Sequence, residues 1–255
     1  MSTVLITGAG SGIGKELANL FAERKYDLLL CGRTPEKLED VQKEILSKYE
    51  VNSTVIQYDL NDTDNIEKIL ENYDTDVLIN CAGTGKMGDY ESLSLEDEKR
   101  MINVNFVAPM ILSKIFIKKF MVKKYGTIIN VCSTASLYPN PYLNVYSVSK
   151  VSLLYYSLAL DKEISMKNNN IRVLSVCPGP VNTDFFEKDI REKFSSWKKY
   201  EMKVSKVAKA IMQAFDMKKR FTVIGFGNKI FSYIMRVLPI SFQLKIVEKF
   251  LRKGV

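Results

Sequence analysis

The chain has 255 residues, with 37 Lys and Arg against 29 Asp and Glu (net +8) and 46% hydrophobic residues, a globular balance with room for a sizeable α/β core. It contains no histidine. That excludes Ser-His-Asp and Cys-His triads, HExxH zinc hydrolysis and any imidazole base, so proton chemistry must run on Tyr, Lys, Asp, Glu or Cys.

The first residues already read as a strand, TVLIT (3–7), with no basic, apolar leader ahead of it, so no secretory signal is expected. A helix over 12–24 follows, then the strand DLLLC (27–31), a charged helix over 35–49 and the strand STVIQY (53–58). A short helix near 63–72 leads to DVLIN (76–80). A long helical stretch over about 95–124 precedes GTIINVC (126–132), a helix over 145–167 and IRVLSVC (171–177). The strands are continuously apolar and rich in Val, Ile and Leu, as central parallel strands covered on both faces must be. Strand–helix–strand repetition with right-handed crossovers predicts an α/β fold, a doubly wound parallel sheet in three α/β/α layers. No Pro/Gly/Ser-rich linker or repeat divides the chain, so residues 1–255 read as a single domain. The cysteines Cys31, Cys81, Cys132 and Cys177 form no CxxC pair and sit in or just after apolar runs, the setting of reduced, packed thiols. No run approaches the ~18 uncharged apolar residues of a spanning helix. The expected location is cytoplasmic, or at most peripheral at a membrane.

TGAGSGIG occupies 7–14, straight after the first strand and opening the first helix. Gly8, Gly12 and Gly14 there allow a tight turn, close approach to a pyrophosphate and close helix packing, with the phosphates facing free helix amides. At the end of the second strand a free ribose hydroxyl usually meets an acid, and a 2′-phosphate meets a cation. The sequence offers LLLCGRT, with Arg33 and Thr34 and no carboxylate, which favours NADP(H).

VYSVSK places Tyr146 and Lys150 four apart at a helix start, on one face. A protonated amine beside a phenol favours the phenolate and lowers the Tyr pKa, suiting it to give or take a proton at a carbonyl oxygen. Ser133 ends the preceding strand, and the intervening loop is long enough to bring its hydroxyl beside Tyr146.

TGxxxGIG at 7–14, NCAG at 80–83, Asn105 in MINVNF, Ser133 in NVCST, YSVSK at 146–150 and PGPVNT at 178–183 occur in one order and spacing. Together they resemble the short-chain dehydrogenase/reductase family over roughly residues 3–184. The resemblance implies a Rossmann-type sheet, NADP(H), and hydride transfer between the nicotinamide and a carbonyl or alcohol carbon. It implies Tyr146 as acid/base, Lys150 on the nicotinamide ribose, Ser133 as a donor to the carbonyl, and Asn105 holding a relay water. It also implies cofactor contacts from Gly8, Ser11, Gly12, Ile13, Gly14, Asp59, Leu60, Asn80, Ala82 and Gly83. Pro178, Gly179, Val181 and Thr183 would complete the nicotinamide end. Asp59 read alone is equally suited to capping the helix near 63–72. No metal is expected.

Residues 184–203 fall where the family covers its substrate. Phe185, Phe186, Phe194 and Trp197 would wall an apolar pocket, with Lys188, Arg191 and Lys193 facing an acidic head group. An ordinary amphipathic helix packed on the core explains the same pattern. Residues 226–255 form an amphipathic extension with six cations and one acid, interrupted by Pro239. Such a segment lies on an anionic membrane, or packs on its own domain or a second subunit. The tail departs from that of tetrameric family members, leaving a homo-oligomer (dimer or tetramer) expected but not specified. No DNA- or RNA-binding motif accompanies the positive charge, so no nucleic-acid partner is expected. The expected function is NADP(H)-dependent reduction of a hydrophobic small-molecule ketone (steroid, fatty-acyl or similar), or the reverse. The alternatives are a non-catalytic NADP(H)-binding redox sensor, or an epimerase or dehydratase, for which the chain leaves little room.

Overall fold

In the computed structural model, which describes residues 2–183, 185–186 and 200–251, seven parallel strands form one sheet. They are β1 (Thr3–Thr7), β2 (Asp27–Gly32), β3 (Ser53–Gln57), β4 (Val77–Asn80), β5 (Gly126–Val131), β6 (Ile171–Pro178) and β7 (Phe221–Ile224). The helices are α1 (Gly12–Glu23), α2 (Pro35–Tyr49), α3 (Ile66–Leu70), α4 (Leu95–Ile102), α5 (Ala108–Lys123), α6 (Asn144–Lys167), α7 (Val204–Asp216), α8 (Phe226–Val237) and α9 (Ile240–Leu251). Strand order is β3-β2-β1-β4-β5-β6-β7, so the chain reverses its direction of travel between β1 and β4. Ligands of open α/β sheets bind outside the carboxyl ends of the strands at that switch point.

The continuous apolar runs end up where their pattern requires. Every residue of β4 and β5 is buried, and one cluster packs on each sheet face. Leu17, Phe21 and Ile211 belong to the cluster under α1, α2 and α7, while Phe116, Phe120 and Ile164 belong to the opposite one. Removing one of these large, fully buried rings would cost about 3–5 kcal/mol. The four cysteines are free thiols, three of them fully buried.

The expected helix over 95–124 is more complex than its periodicity. It is broken into α4, a π-helical turn over Asn103–Val107, and α5. Such wide turns insert a residue into the ladder and are frequent at functional sites. The whole run from Leu95 to Lys123 is long and apolar enough to cross a membrane, but more than half of its apolar window is buried inside the protein. That is how a core helix behaves. The short helix near 63–72 contracts to Ile66–Leu70.

The tail divides at Pro239, as expected from its missing amide, into α8 and α9. Ser232 and Met235 of α8 and Gln243 and Val247 of α9 are buried against the domain, with Met235 and Val247 packing alongside Tyr146. The extension therefore builds part of the wall at the carboxyl edge of the sheet. Its partner on that side is its own domain.

Candidate active site

A cleft of ≈ 1150 Å³ runs along the carboxyl ends of the strands. Pockets for one small ligand span about 300–1,000 Å³, so this cleft lies at the top of that range. All the expected site residues line it except Asn80 and Asn105, which stand behind its wall.

At one end is the glycine turn. Gly8 has φ +70°, and a Cβ on it would lie 2.9 Å from the Ala82 Cα; one on Gly14 would lie 2.2 Å from the Gly8 carbonyl oxygen. Glycine is therefore required at both positions, first for the left-handed turn and then for the close approach of α1. The N-cap Ser11 makes no side-chain bond to the helix it precedes, so the first amides of α1 face the cleft uncapped. Thr7 joins this turn to the next strand by accepting from the amides of Cys81 and Ala82, both at 3.1 Å.

Arg33 and Thr34 project from the end of β2 on the rim, and both are exposed. Lys37, one turn into α2, lines the same rim. Sequence reading missed it because only the fold of α2 against the glycine turn brings it there. Asp59 lies opposite. Arg100 donates to both of its carboxylate oxygens at 2.9 Å and the Asn61 amide donates at 3.0 Å. Burial pushes this carboxyl up, but the Asn61 amide and the Arg100 guanidinium outweigh it and hold Asp59 below the usual range. Asp59 does not cap α3, whose N-cap is Asn65. Arg100, 41 residues away in sequence, left no motif to find.

Asn80 and Asn105 stand behind the cleft wall, each tied into the frame around it. Asn80 is 2% exposed and donates to Asn130 Oδ1 at 2.7 Å, and Asn130 donates to Ser157 Oγ at 2.6 Å. This polar ladder ties β4, β5 and α6 together, and it turns the Asn80 side chain away from the cleft. Asn105 sits in the π turn, accepting from the Thr84 amide at 2.9 Å and donating to Thr84 O at 2.8 Å and Ser149 Oγ at 3.0 Å. It pins the segment after β4 to α6. Above Gly83 its Oδ1 and the Lys150 Nζ nevertheless converge, within 3.3 and 3.6 Å of one point.

At the centre, Ser133 caps a short 3-10 turn over Thr134–Ser136, accepting from the Ala135 amide at 3.1 Å. That turn starts the loop that returns the chain to α6. The Ser133 hydroxyl faces the Tyr146 phenol and holds its pKa down against the effect of burial. Lys150, 4% exposed, donates from Nζ to Val131 O at 3.0 Å. Phe185 and Phe186 stand edge-on to the Tyr146 ring, with centroids at 5.7 and 6.0 Å.

This surrounding corrects one expectation. Burial pushes the Tyr146 phenol up to about 12, the Ser133 hydroxyl opposes the shift, and Lys150 is not among its causes. Burial likewise lowers the Lys150 ammonium. With the Lys150 amine turned to a backbone carbonyl and two aromatic rings excluding water, these surroundings do not favour a phenolate. The shared helical face of Tyr146 and Lys150 is as expected, but the electrostatic lowering is absent.

Phe185 and Phe186 take the wall positions expected of them. Phe194, Trp197, Lys188, Arg191 and Lys193 lie outside the described residues. Thr183 approaches the glycine turn at Gly12, and Val181 pairs with Met202 across an isolated bridge.

A sequence profile described as short chain dehydrogenase matches residues 2–193. The chain belongs to that family. Among the relatives of this short-chain dehydrogenase is the NADP-dependent 3-hydroxy acid dehydrogenase of Schizosaccharomyces pombe, 36% identical over 193 residues, covering 72% of this chain and 73% of that protein. The very-long-chain 3-oxoacyl-CoA reductase-B of Danio rerio is 33% identical over 186 residues, 70% of this chain and 59% of the relative. The match thus leaves a large part of that relative without a counterpart. The solved bulky-bulky ketone specific alcohol dehydrogenase from Comamonas testosteroni superposes with a TM-score of 0.77 at 25% identity, over 100% of this chain and 95% of that one. The seven-stranded Rossmann-type sheet superposes on that solved structure along the whole of this chain.

Proposed function

We propose that this short-chain dehydrogenase is an NADP(H)-dependent oxidoreductase interconverting a bulky apolar ketone and its secondary alcohol. The observation that carries the reading is the convergence of Ser133 with a buried Tyr146 and a buried Lys150 in one cleft, whose walls also carry Met87, Leu143, Phe185 and Phe186. A non-catalytic sensor has no need of that set, and the three relatives named above are oxidoreductases by name. The whole of residues 1–255 is read as one working domain, cytoplasmic, with the substrate side contributed by 184–203 and the extension 226–255. We assign it a homo-oligomeric state and a peripheral membrane contact through the extension.

The residues present fit an NADP(H) cofactor. Uncapped α1 amides and the Gly8–Gly14 turn suit the pyrophosphate, and exposed Arg33 and Thr34, with Lys37 beside them, suit the 2′-phosphate. When bound, the nicotinamide supplies or accepts the hydride. Of the residues lining the cleft, Asp59, Leu60, Ala82 and Gly83 would hold the adenosine half and Pro178, Gly179, Val181 and Thr183 the nicotinamide half. Ser133 Oγ donates to the substrate oxygen and Tyr146 Oη donates the proton that completes the alcohol. Lys150 positions the ribose and favours release of the phenolic proton once its amine turns inward. Asn105 and Asn80 act behind the wall, holding the Gly83–Thr84 segment and the β4–β5 edge in place.

The test is turnover of a panel of ketones and alcohols with NADPH and NADH, read by cofactor absorbance. Bulky ketones should react and NADPH should bind at least tenfold more tightly than NADH. Arg33→Ala should remove most of that preference, since a charge-assisted hydrogen bond is worth about 1.5–3 kcal/mol and about 1.4 kcal/mol is tenfold. Equal affinity of the unaltered protein for both cofactors would overturn the NADP(H) assignment.

A further inference from the structure

The outward face of α8 carries an apolar stripe. At about 100° per residue, Tyr233, Phe226, Val237, Ile230 and Ile234 fall within roughly one quarter to one third of the helix circumference. They are 72%, 81%, 67%, 45% and 48% exposed. The opposite face is the one that packs on the domain, through Ser232 and Met235. Just past Pro239, Ile240 extends the stripe at 67% exposure. Single exposed apolar residues are ordinary on a soluble protein, whereas a contiguous stripe marks a surface that another phase or molecule covers.

Charge identifies the cover. Lys229 and Arg236, exposed and about 300° and 280° round the same wheel from Phe226, border the stripe along one side. From 226 to 249 the segment holds four cations, Lys229, Arg236, Lys245 and Lys249, against the single acid Glu248. A two-fold contact with a second copy would set these cations against their own images, at a cost in like-charge repulsion. Against anionic lipid the same cations are attracted, each strengthening partition by about fivefold. Aromatic and aliphatic side chains on one side with Lys and Arg at the border is the composition of a helix lying in the plane of an interface.

The position of α8 gives the contact a purpose. Gly227, Asn228 and Phe231 line the cleft, and Phe231 stacks edge-on with Tyr138 at 5.5 Å. One helix therefore presents its outer face to solvent and its flank to the mouth of the site.

We propose that α8 docks by its outer face on an anionic phospholipid surface, with Phe226, Ile230, Tyr233, Ile234 and Val237 at the headgroup–acyl boundary and Lys229 and Arg236 among the lipid phosphates. The cleft mouth then opens beside the bilayer, so that an apolar ketone dissolved there enters past Phe231 without crossing water. Only this delivery role rests on the oxidoreductase reading; the docking itself does not.

The experiment is co-sedimentation of the full chain with vesicles of phosphatidylcholine alone and with about one-third phosphatidylserine. Binding should be at least tenfold stronger on the anionic vesicles and should weaken between about 0.1 and 0.5 M salt as screening shortens. The double variants Ile230→Asp/Val237→Asp and Lys229→Glu/Arg236→Glu should each lower binding at least tenfold. All four side chains are exposed, so both variants should melt as the unaltered protein does, bind NADPH as it does and turn over a water-soluble ketone equally. Absence of a preference for anionic vesicles, or binding that survives both variants, would overturn the proposal. So would a dimer that dissociates in these variants while vesicles are ignored, because a second copy would then own the face. Vesicle binding by a protein that turns over no ketone or alcohol would overturn the oxidoreductase reading and leave the docking face standing.

Discussion

Tyr146→Phe is expected to lower kcat by about 10²–10⁴-fold, the usual contribution of a positioned acid or base, while NADPH binding stays within a few-fold. The phenol ring is held by Phe185 and Phe186, and these edge contacts survive loss of the hydroxyl. Only the proton and the interaction of the phenol with the Ser133 hydroxyl disappear. The loss should therefore fall on kcat rather than on cofactor affinity. The pH dependence gives a second readout. Burial raises the phenol to about 12, so the proton is retained across the neutral range. Ketone reduction, which needs that proton, should be insensitive to this group below its pKa. Alcohol oxidation, which needs the phenolate, should gain about tenfold per pH unit as pH rises toward the pKa, and Tyr146→Phe should flatten that rise. A variant retaining more than about a tenth of the unaltered rate is incompatible with the role given to Tyr146.

Gly14→Ala is the change expected to damage the cofactor end most. Its Cβ would fall 2.2 Å from the backbone oxygen of Gly8, with Gly8 C at 2.7 Å and Ala9 N at 3.2 Å. Backbone cannot rotate aside as a side-chain tip does, so α1 must move away from the turn. Overpacking of this kind costs about 1–3 kcal/mol or more. In a chain of this size that lowers Tm by about 2–12 °C. The displaced amides of α1 are those that face the pyrophosphate, so NADPH affinity should fall at least tenfold, read by NADPH fluorescence. Gly227→Ala is the matched control. Among the described residues, nothing beyond its own chain neighbours and helix backbone lies within 4 Å of its Cβ position, and it sits in the first turn of α8. It should leave Tm unchanged or raise it slightly, since removing backbone freedom from the unfolded chain stabilises by about 0.4–1 kcal/mol. A Gly14→Ala protein with full NADPH affinity would show that the turn does not hold the phosphates.

Much of this was legible in the residues themselves because its signals are local. The buried strands β1, β2, β4, β5 and β6 announce themselves as unbroken Val/Ile/Leu runs, since no face of theirs meets water. The glycine turn, the Arg33–Thr34 selector and the Tyr146–Lys150 spacing depend on a few consecutive positions and fall where expected. The break at Pro239 follows from a missing amide. What the tertiary structure decided are properties of pairs distant in sequence. Arg100 reaches Asp59, Asn80 turns to Asn130, and Asn105 pins Thr84 through a π turn that an unbroken helical periodicity conceals. The Tyr146 pKa was misjudged for the same reason. Spacing puts Lys150 on the right face, but only packing turns its Nζ to Val131 O and brings Phe185 and Phe186 against the phenol. The amphipathic pattern of 226–255 leaves three partners open, an anionic membrane, its own domain or a second subunit. Folding assigned Met235 and Val247 to the protein and left Tyr233, Phe226 and Val237 facing outward, because one helix face can be buried against only one neighbour.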